Sequence, residues 1–219
     1  MAAGFQIAPS IVSAPLLGLK TELDDLKSSG IDLLHIDIED GHFVPVMNLG
    51  TRIIEALKDQ GFFLDVHLMV DNPELMIPQV ARLGADSVTI HYEASPYPRR
   101  YLHRIRQLGL QTGLAFNPKT PLADLDFVTD LLDCVNILTT EPEDPDCPFI
   151  PAMIEKIKTA RAWADRVYPT IQVVADGAIS RDNIASVVEA GATRLVVGRS
   201  IFGNHSIGEN IAALWEVAQ

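Results

Sequence analysis

The chain has 219 residues, of which 47% are hydrophobic and 21% are charged, and its formal net charge at pH 7 is −12. This is the composition of an ordinary globular protein with enough apolar residues for one sizeable core. So acidic a chain is a poor candidate for binding nucleic acid or an anionic membrane, because both are bound by basic surfaces.

The termini and the cysteines give no sign of export. Cys134 and Cys147 form no CxxC pair, and we expect both to be reduced thiols. The N-terminal Met1-Ala2-Ala3-Gly4-Phe5 lacks a basic segment and a long apolar run, and no apolar stretch is long enough to span a membrane. We therefore expect a cytoplasmic protein with one domain over residues 1–219, since no Gly/Ser/Pro linker divides the chain.

Strands and helices alternate along the whole chain. The predicted strands cover residues 5–8, 33–39, 62–69, 86–91, 111–116, 134–138, 171–175 and 194–197. The predicted helices cover residues 16–27, 49–57, 73–83, 98–108, 121–132, 149–164, 180–190 and 207–217. Eight such pairs favour an α/β fold with a parallel sheet closed into a (β/α)8 TIM barrel. A doubly wound open sheet is the competing fold, but it usually has fewer units, and no GxGxxG follows the first strand.

The second strand carries three ionisable residues in an apolar run. His35, Asp37 and Glu39 alternate with apolar residues, so all three side chains point to one face of the strand. Asp40-Gly41 then ends the strand as a turn. Ionisable groups on a buried strand need partners, which can be a metal, another charge or a substrate.

Polar residues, and one glycine, lie near the C-terminal ends of most of the predicted strands, where the active sites of TIM barrels lie. They are Ser10, His35, Asp37, His67, His91, Asn117, Asp176 and Gly198.

Four of the polar residues suit a divalent metal. Two imidazoles and two carboxylates, from His35, Asp37, His67 and Asp176, are a ligand set for Zn, Mn, Fe or Co. Taken singly, a strand histidine is more often a hydrogen-bonded core residue, and an aspartate that ends a strand often caps the next helix. The joint placement of four compatible ligands favours the metal site.

Two glycine turns follow the last two strands. They are Asp176-Gly177-Ala178 and Gly198-Arg199-Ser200. In many barrels the backbone N–H groups of these loops bind phosphate, and Arg199 could add a charged fork. The alternative is that both glycines serve tight turns and that Arg199 makes a surface ion pair.

Taken together, these motifs resemble the ribulose-phosphate 3-epimerase family, including the hexulose-6-phosphate 3-epimerases, over essentially the whole chain. The resemblance is carried by Ile7-Ala8-Pro9-Ser10-Ile11, His35-Ile36-Asp37, Asp40-Gly41-His42-Phe43-Val44-Pro45, Leu64-Asp65-Val66-His67-Leu68-Met69, Gly84-Ala85-Asp86, Leu114-Ala115-Phe116-Asn117-Pro118, Thr120-Pro121, Phe149-Ile150-Pro151, Asp176-Gly177, and Gly198 with Ile201-Phe202-Gly203.

The resemblance implies a ribulose-phosphate-binding barrel that inverts C3 of a ketose phosphate with one divalent metal. It implies that His35, Asp37, His67 and Asp176 bind the metal, and that Asp37 and Asp176 are the acid/base pair. Two bases on opposite sides of the sugar are what inversion requires. It further implies that Ser10 and His67 contact the substrate, that Gly177, Gly198 and Arg199 lie near its phosphate, and that the protein is a homo-oligomer.

The chain departs from the family pattern around the substrate. The family has a glycine-rich loop after the sixth strand, whereas this chain has Glu141-Pro142-Glu143-Asp144-Pro145-Asp146-Cys147. Four carboxylates there should disfavour a nearby dianion. Glu39 stands where the family usually has methionine, Ala178 replaces a second glycine, and Arg199 replaces a residue that is often serine.

Two other functions remain open on the sequence. One is a lyase on a related phosphate-binding barrel, although the Asp-x-Lys-x-x-Asp arrangement of those enzymes is absent; Asp25-Leu26-Lys27 is the nearest string. The other is a non-catalytic sugar-phosphate-binding barrel, which the altered loop allows and the two aspartates disfavour.

Overall fold

The computed structural model describes residues 4–142, 144, 147–203 and 206–218. Its strands are β1 (Gln6–Pro9), β2 (Leu33–Glu39), β3 (Phe63–Met69), β4 (Ser87–His91), β5 (Gln111–Phe116), β6 (Cys134–Leu138), β7 (Gln172–Asp176) and β8 (Arg194–Val197). Its helices are α1 (Leu19–Ser28), α2 (Arg52–Leu57), α3 (Pro73–Leu83), α4 (Pro98–Gln107), α5 (Leu125–Val128), α6 (Met153–Val167), α7 (Ile184–Glu189), α8 (Arg199–Phe202) and α9 (Ile207–Ala218).

The strands form one parallel sheet in the order β1-β8-β7-β6-β5-β4-β3-β2. The seam between β1 and β2 is bridged by the pair Ser10 and His35, so the sheet is a nearly closed barrel. The predicted α/β fold, an eight-stranded TIM barrel, is confirmed. In this fold all eight strands end at the same mouth, so residues near their C-terminal ends can converge.

Two layers of apolar side chains bury the sheet. The larger cluster lies between the strands and the surrounding helices and includes Leu34, Ile36 and Ile38 of β2. A small cluster, made of Ala8, Leu33, Cys134, Val174 and Val196, packs separately. Every residue of β2 is buried, which is why its polar side chains must find partners within the protein.

The structure differs from the predicted elements mainly in three helices. The predicted helix 121–132 is only the single turn α5 followed by a 3-10 turn at Thr129–Leu131, because Asp124 before it has a left-handed φ of 60°. The predicted helix 16–27 begins with a 3-10 turn at Leu16–Gly18. The turn α8 was not predicted. Within the described residues, no helix is both long and apolar enough to cross a membrane.

Candidate active site

The parallel register of β2 and β3 brings the polar residues of both strands side by side. His35 is the register partner of Asp65, and Asp37 is the register partner of His67. The side chains of His35 and His67 are 1% and 0% exposed. Three of the four predicted ligands therefore come from two adjacent strands, and Asp176 joins them from the end of β7.

Four ligand atoms face one another at this point. Nε2 of His35 lies 3.2 Å from Oδ1 of Asp37 and 3.4 Å from Oδ2 of Asp176. Nδ1 of His67 lies at the same two distances, 3.2 Å and 3.4 Å, from those oxygens. All four atoms lie within 4.8 Å of one another. Ligands of a four-coordinate Zn²⁺, each bonded at about 2.0–2.1 Å, are about 3.3 Å apart. The four residues therefore have the spacing and chemistry to hold a divalent metal ion.

The outer nitrogen of His35 is held by a buried ion pair. Nδ1 of His35 lies 3.1 Å from Oδ2 of Asp65, and the guanidinium Nη1 of Arg194 lies 3.1 Å from the same oxygen. The carboxylate can only accept, so Nδ1 carries a proton and Nε2 is the nitrogen that faces the cluster. This is the arrangement in which an outer carboxylate orients a metal-binding histidine.

The outer nitrogen of His67 is held by a second chain of contacts. Its Nε2 lies 2.9 Å from Nε2 of His91, whose Nδ1 lies 3.0 Å from Oε2 of Glu93. The backbone N–H of Asn117 donates to Oε1 of Glu93 at 2.8 Å. His91 therefore donates to Glu93 and accepts from His67, which leaves Nδ1 as the nitrogen of His67 that faces the carboxylates. Burial lowers the pKa of His91 to about 4, consistent with a neutral ring.

The electrostatics of the cluster favour a positive charge between the two aspartates. Burial lowers the pKa of His67, but Asp176 and Asp37 outweigh it and raise that pKa to about 9. The pKa of His35 is also raised, again against the effect of burial. Burial raises the pKa of Asp37 and Asp176, yet His35 and His67 hold both well below the usual range. A divalent cation would meet the same demand while both rings stay neutral.

Each aspartate also has a donor from outside the ligand set. Oγ of Ser10 donates to Oδ2 of Asp37 at 2.7 Å, and Nδ2 of Asn136 donates to Oδ2 of Asp176 at 3.0 Å. The backbone N–H of Thr139 donates to the carbonyl of Asp176 at 2.7 Å. Ser10 was predicted near the site, whereas Asn136 was not.

A cavity of about 590 Å³ lies over the cluster at the mouth of the barrel. Of the residues predicted to contact substrate, four line it, namely Ser10, Gly177, Gly198 and Arg199, together with both aspartates. His67 is fully buried instead, beside the aspartates. Neither glycine position has room for a side chain. A Cβ on Gly177 would lie 2.5 Å from Thr140 Cγ2, and one on Gly198 would clash with Ser13 Oγ.

The departures from the family pattern also lie at this mouth. Glu141, Pro142 and Asp144 line the cavity, while Glu143, Pro145 and Asp146 lie outside the described residues. Glu39 is buried beside its register partner Met69, which lines the cavity.

Sequence reasoning missed the residues behind the ligands. Arg194, Glu93 and Asn136 were not singled out, and Asp65 was named only as part of the motif over residues 64–69. The available signal was period-two spacing. Asp65 lies two residues before His67, and Glu93 lies two residues after His91.

Comparisons with known proteins show the family of the chain. Residues 6–202 match the profile of the ribulose-phosphate 3 epimerase family. A ribulose-phosphate 3-epimerase from Bacillus subtilis is 37% identical over 200 residues, which is 90% of this chain and 92% of that protein. The one from Escherichia coli K12 is 36% identical over 90% of this chain and 89% of that protein.

Solved structures share the fold at low sequence identity. A structure of KGPDC from Streptococcus mutans has a TM-score of 0.71 and 12% identity, and the match covers 99% of this chain and 98% of that one. Orotidine 5′-phosphate decarboxylase from Pyrococcus horikoshii OT3 has a TM-score of 0.66 and 18% identity, covering 97% and 99%. At these low identities, the two matches show a shared barrel fold and no more.

Proposed function

Because this chain belongs to the ribulose-phosphate 3-epimerase family, and hence to the isomerases, we propose that it inverts C3 of a ketose phosphate by two-base proton transfer. The observation that carries the proposal is the pair of buried aspartates. They meet the same two histidine nitrogens, and they come from β2 and β7, which are separated in the sheet by β1 and β8.

Each aspartate has two oxygens with different surroundings. Oδ1 of Asp37 and Oδ2 of Asp176 face the histidines, which leaves one oxygen of each carboxylate to exchange a proton with substrate. In the proposed reaction one aspartate removes the C3 proton from one face of the sugar, and the other returns a proton to the opposite face. Both carboxylates line the cavity. The aspartate that removes the C3 proton starts its step ionised, and the opposite aspartate starts it protonated, so that it can return a proton as the first accepts one.

The metal belongs to the same proposal. His35, Asp37, His67 and Asp176 would hold one divalent ion, of Zn, Mn, Fe or Co, with Nε2 of His35 and Nδ1 of His67 directed towards it and deprotonated when the ion binds. As a Lewis acid, the bound ion would stabilise the negative charge that develops on the substrate oxygens when C3 loses its proton.

The substrate is proposed to lie with its phosphate near Gly177, Gly198 and Arg199. These residues line one side of the cavity, where glycine allows the backbone to come close. Ser10, which lines the cavity and donates to Asp37, would contact the sugar beside that base. The acidic residues Glu141 and Asp144 line the same cavity and would repel a phosphate, and we propose that the charge of Arg199 offsets this repulsion.

The test is deuterium wash-in at C3. The metal-loaded protein is incubated in deuterated water with ribulose 5-phosphate and, separately, with ketohexose 6-phosphates, and each reaction is followed by NMR. We expect exchange with inversion on one of these sugars. Asp37→Asn and Asp176→Asn should each abolish inversion, since each removes one base, while the exposed control Asp59→Asn should keep it.

Three results would reject the proposal. They are inversion at the wild-type rate in either active-site variant, release of carbon dioxide or of an aldehyde in place of exchange, and tight sugar-phosphate binding with no exchange in the metal-loaded wild type. The second would indicate a lyase, and the third a binding protein.

A further inference from the structure

Asn136 is a buried amide that contacts only one of the two proposed bases. It lies on β6, is 1% exposed, and is the register partner of Ala115 and Val174 on the neighbouring strands. Its Nδ2 lies 3.0 Å from Oδ2 of Asp176. The carboxylate can only accept, so the amide must present its N–H group there and not its carbonyl.

The amide contacts the oxygen of Asp176 that faces the histidines. Oδ2 of Asp176 lies 3.4 Å from Nε2 of His35 and 3.4 Å from Nδ1 of His67. With this oxygen held by Asn136, the plane of the carboxyl group is fixed, and Oδ1 remains as the oxygen for proton exchange.

Strand β6 holds the backbone at the same place. The N–H of Thr139 donates to the carbonyl of Asp176 at 2.7 Å, and the hydroxyl of Thr139 donates to the carbonyl of Gly177. The side chain of Asp176 is thus attached to β6 and its main chain to Thr139, the residue that follows β6. Asp37 instead accepts its hydrogen bond from Ser10 through Oδ2, the oxygen that does not face the histidines. The two carboxylates are therefore held from different parts of the barrel. Asp176 is held through the oxygen that faces the histidines, and Asp37 through the oxygen that does not.

The amide is held at a cost to stability. Oδ1 of Asn136 is buried and has no hydrogen-bond donor among the described residues. A buried unsatisfied acceptor destabilises the folded protein, and a leucine of similar size would avoid that cost. Because Asn136 does not improve the stability of the core, its presence is explained better by its contact with Asp176 than by packing.

We infer that Asn136 is a positioning residue that orients Asp176 for its half of the proton transfer, an inference that rests on the proposed epimerase function. It acts through Asp176 and does not touch the substrate. Its loss should therefore impair one base and leave the other, whereas loss of metal or of folding would impair both.

The test compares Asn136→Leu, which removes the donor, with Asn136→Thr, which keeps one, and with Cys134→Ala. Cys134 lies two residues earlier on the same face of β6 and contacts Thr89, not Asp176. Each protein is given either C3 epimer of the substrate in deuterated water. The NMR measurement is the ratio of wash-in with retained configuration to wash-in with inversion.

In Asn136→Leu we expect inversion to fall about 10- to 100-fold, the usual loss when an outer partner of a metal ligand is removed. From the epimer whose proton Asp37 removes, wash-in with retention should persist, so the ratio rises at least about tenfold. From the other epimer both processes should fall together. Asn136→Thr should lie between the leucine variant and the wild type, and Cys134→Ala should match the wild type.

A second readout does not depend on turnover. The visible absorption of Co²⁺ bound to each protein should change in Asn136→Leu and stay constant in Cys134→Ala, because only the first alters the direction of a ligand. Should the leucine variant not fold, Asn136→Ala carries the same test.

A retention-to-inversion ratio within about twofold of the wild type from both epimers would overturn the inference while the epimerase stands. Absence of wash-in by the wild type on every ketose phosphate would overturn the proposed function instead. In that case an unchanged Co²⁺ spectrum in Asn136→Leu would also overturn the orientation of Asp176 by Asn136.

Discussion

Arg194 and Asp65 form a buried ion pair directly behind His35. Their side chains are 5% and 3% exposed, and the carboxylate is shared between the guanidinium and the ring of His35. Nε of Arg194 is buried with no acceptor among the described residues, so the pair is not fully satisfied by hydrogen bonds. A pair of this kind adds little net stability, but it leaves an uncompensated charge when one partner is removed.

We therefore expect Arg194→Leu to lower the free energy of unfolding by about 3–5 kcal/mol, measured by urea denaturation. Asp65→Asn added to it should recover part of the loss, because the lone carboxylate is then gone. The recovered double variant should still bind metal about 10- to 100-fold more weakly than the wild type, since His35 has lost its carboxylate partner. Strictly additive losses in the double variant would contradict the pairing.

Glu93 gives a pH dependence with a defined sign. Burial raises its pKa, but hydrogen bonds, chiefly from His91, outweigh burial and hold the pKa at about 2, against an ordinary value of 4.5. A carboxyl group with a lowered folded pKa contributes stability above its unfolded pKa and loses it as the pH falls towards its folded pKa. Because the side chain of Glu93 is partly exposed, solvent screening reduces this contribution.

We expect the urea midpoint of the wild type to fall as the pH decreases from about 5 to about 2. Glu93→Gln should be less stable at pH 7 and should show a shallower decline over that range. Glu55→Gln, at an exposed position on α2, is the matched control and should follow the wild type. Parallel curves for Glu93→Gln and the wild type would show that Glu93 has no such role.

Arg199 carries the prediction about the phosphate. It is exposed, lines the cavity and opens α8 directly after Gly198. Loss of a charge-assisted contact should cost about 1.5–3 kcal/mol of binding. We expect Arg199→Ala to raise KM for the phosphorylated substrate about tenfold or more with little change in kcat. Arg181→Ala, also exposed, serves as the control. An unchanged KM would reject the phosphate role of Arg199.

The ligands were more predictable than their supports. His35 and Asp37 stand out because period-two spacing in an apolar run fixes their common face, and barrel topology then adds His67 and Asp176. Of the residues behind them, Asp65 and Glu93 share that spacing with His67 and His91, but Asn136 on β6 and Arg194 on β8 stand alone in their strands, and no short pattern reveals their partners. Asn136 also reads as an ordinary polar residue until its distance from Asp176 is known.

At the level of elements, alternating strands and helices defined the barrel, but local backbone geometry set the limits of the helices. The predicted helix 121–132 has apolar residues at helical spacing, yet Asp124 adopts a left-handed φ and the helix is reduced to α5. The turn after β7 has two left-handed residues in succession, Gly177 with φ 117° and Ala178 with φ 52°. The first suits glycine, whereas the second places a Cβ in a strained region.

Opposite substitutions in this turn should have opposite effects. Gly177→Ala adds a Cβ 2.5 Å from Thr140 Cγ2 and should destabilise the protein by about 1–3 kcal/mol. Ala178→Gly relieves the left-handed strain, partly offset by greater freedom of the unfolded chain, and should change stability by about 0 to +1 kcal/mol. Urea denaturation of the two variants measures both effects. Equal destabilisation by the two changes would contradict this account of the turn.

At the scale of the whole molecule, the proposed metal ligands come from both sides of the seam between β1 and β2, where the sheet has a single bridge. Strands β1 and β2 meet through the pair Ser10 and His35, and Ser10 also donates across this seam to Asp37. The ligands come from β2 and β3 on one side of the seam and from β7 on the other side. A bound ion would connect β2 with β7 across β1 and β8.

Removal of metal should therefore lower the stability of the whole barrel. A ligand that binds only the folded protein stabilises it by about 2.7 kcal/mol at a concentration 100 times its Kd. For a chain of this size, that corresponds to a rise in Tm of about 5–10 °C. We expect protein stripped with a chelator to melt lower by about this amount and to recover when one of Zn²⁺, Mn²⁺, Fe²⁺ or Co²⁺ is restored. The ion that gives the largest recovery identifies the preferred metal.

Asp176→Asn should lose most of the recovery, because the ligand from β7 is weakened, whereas Asp59→Asn should keep it. Equal melting of the stripped and reloaded wild type with all four ions would exclude a metal that links β2 with β7.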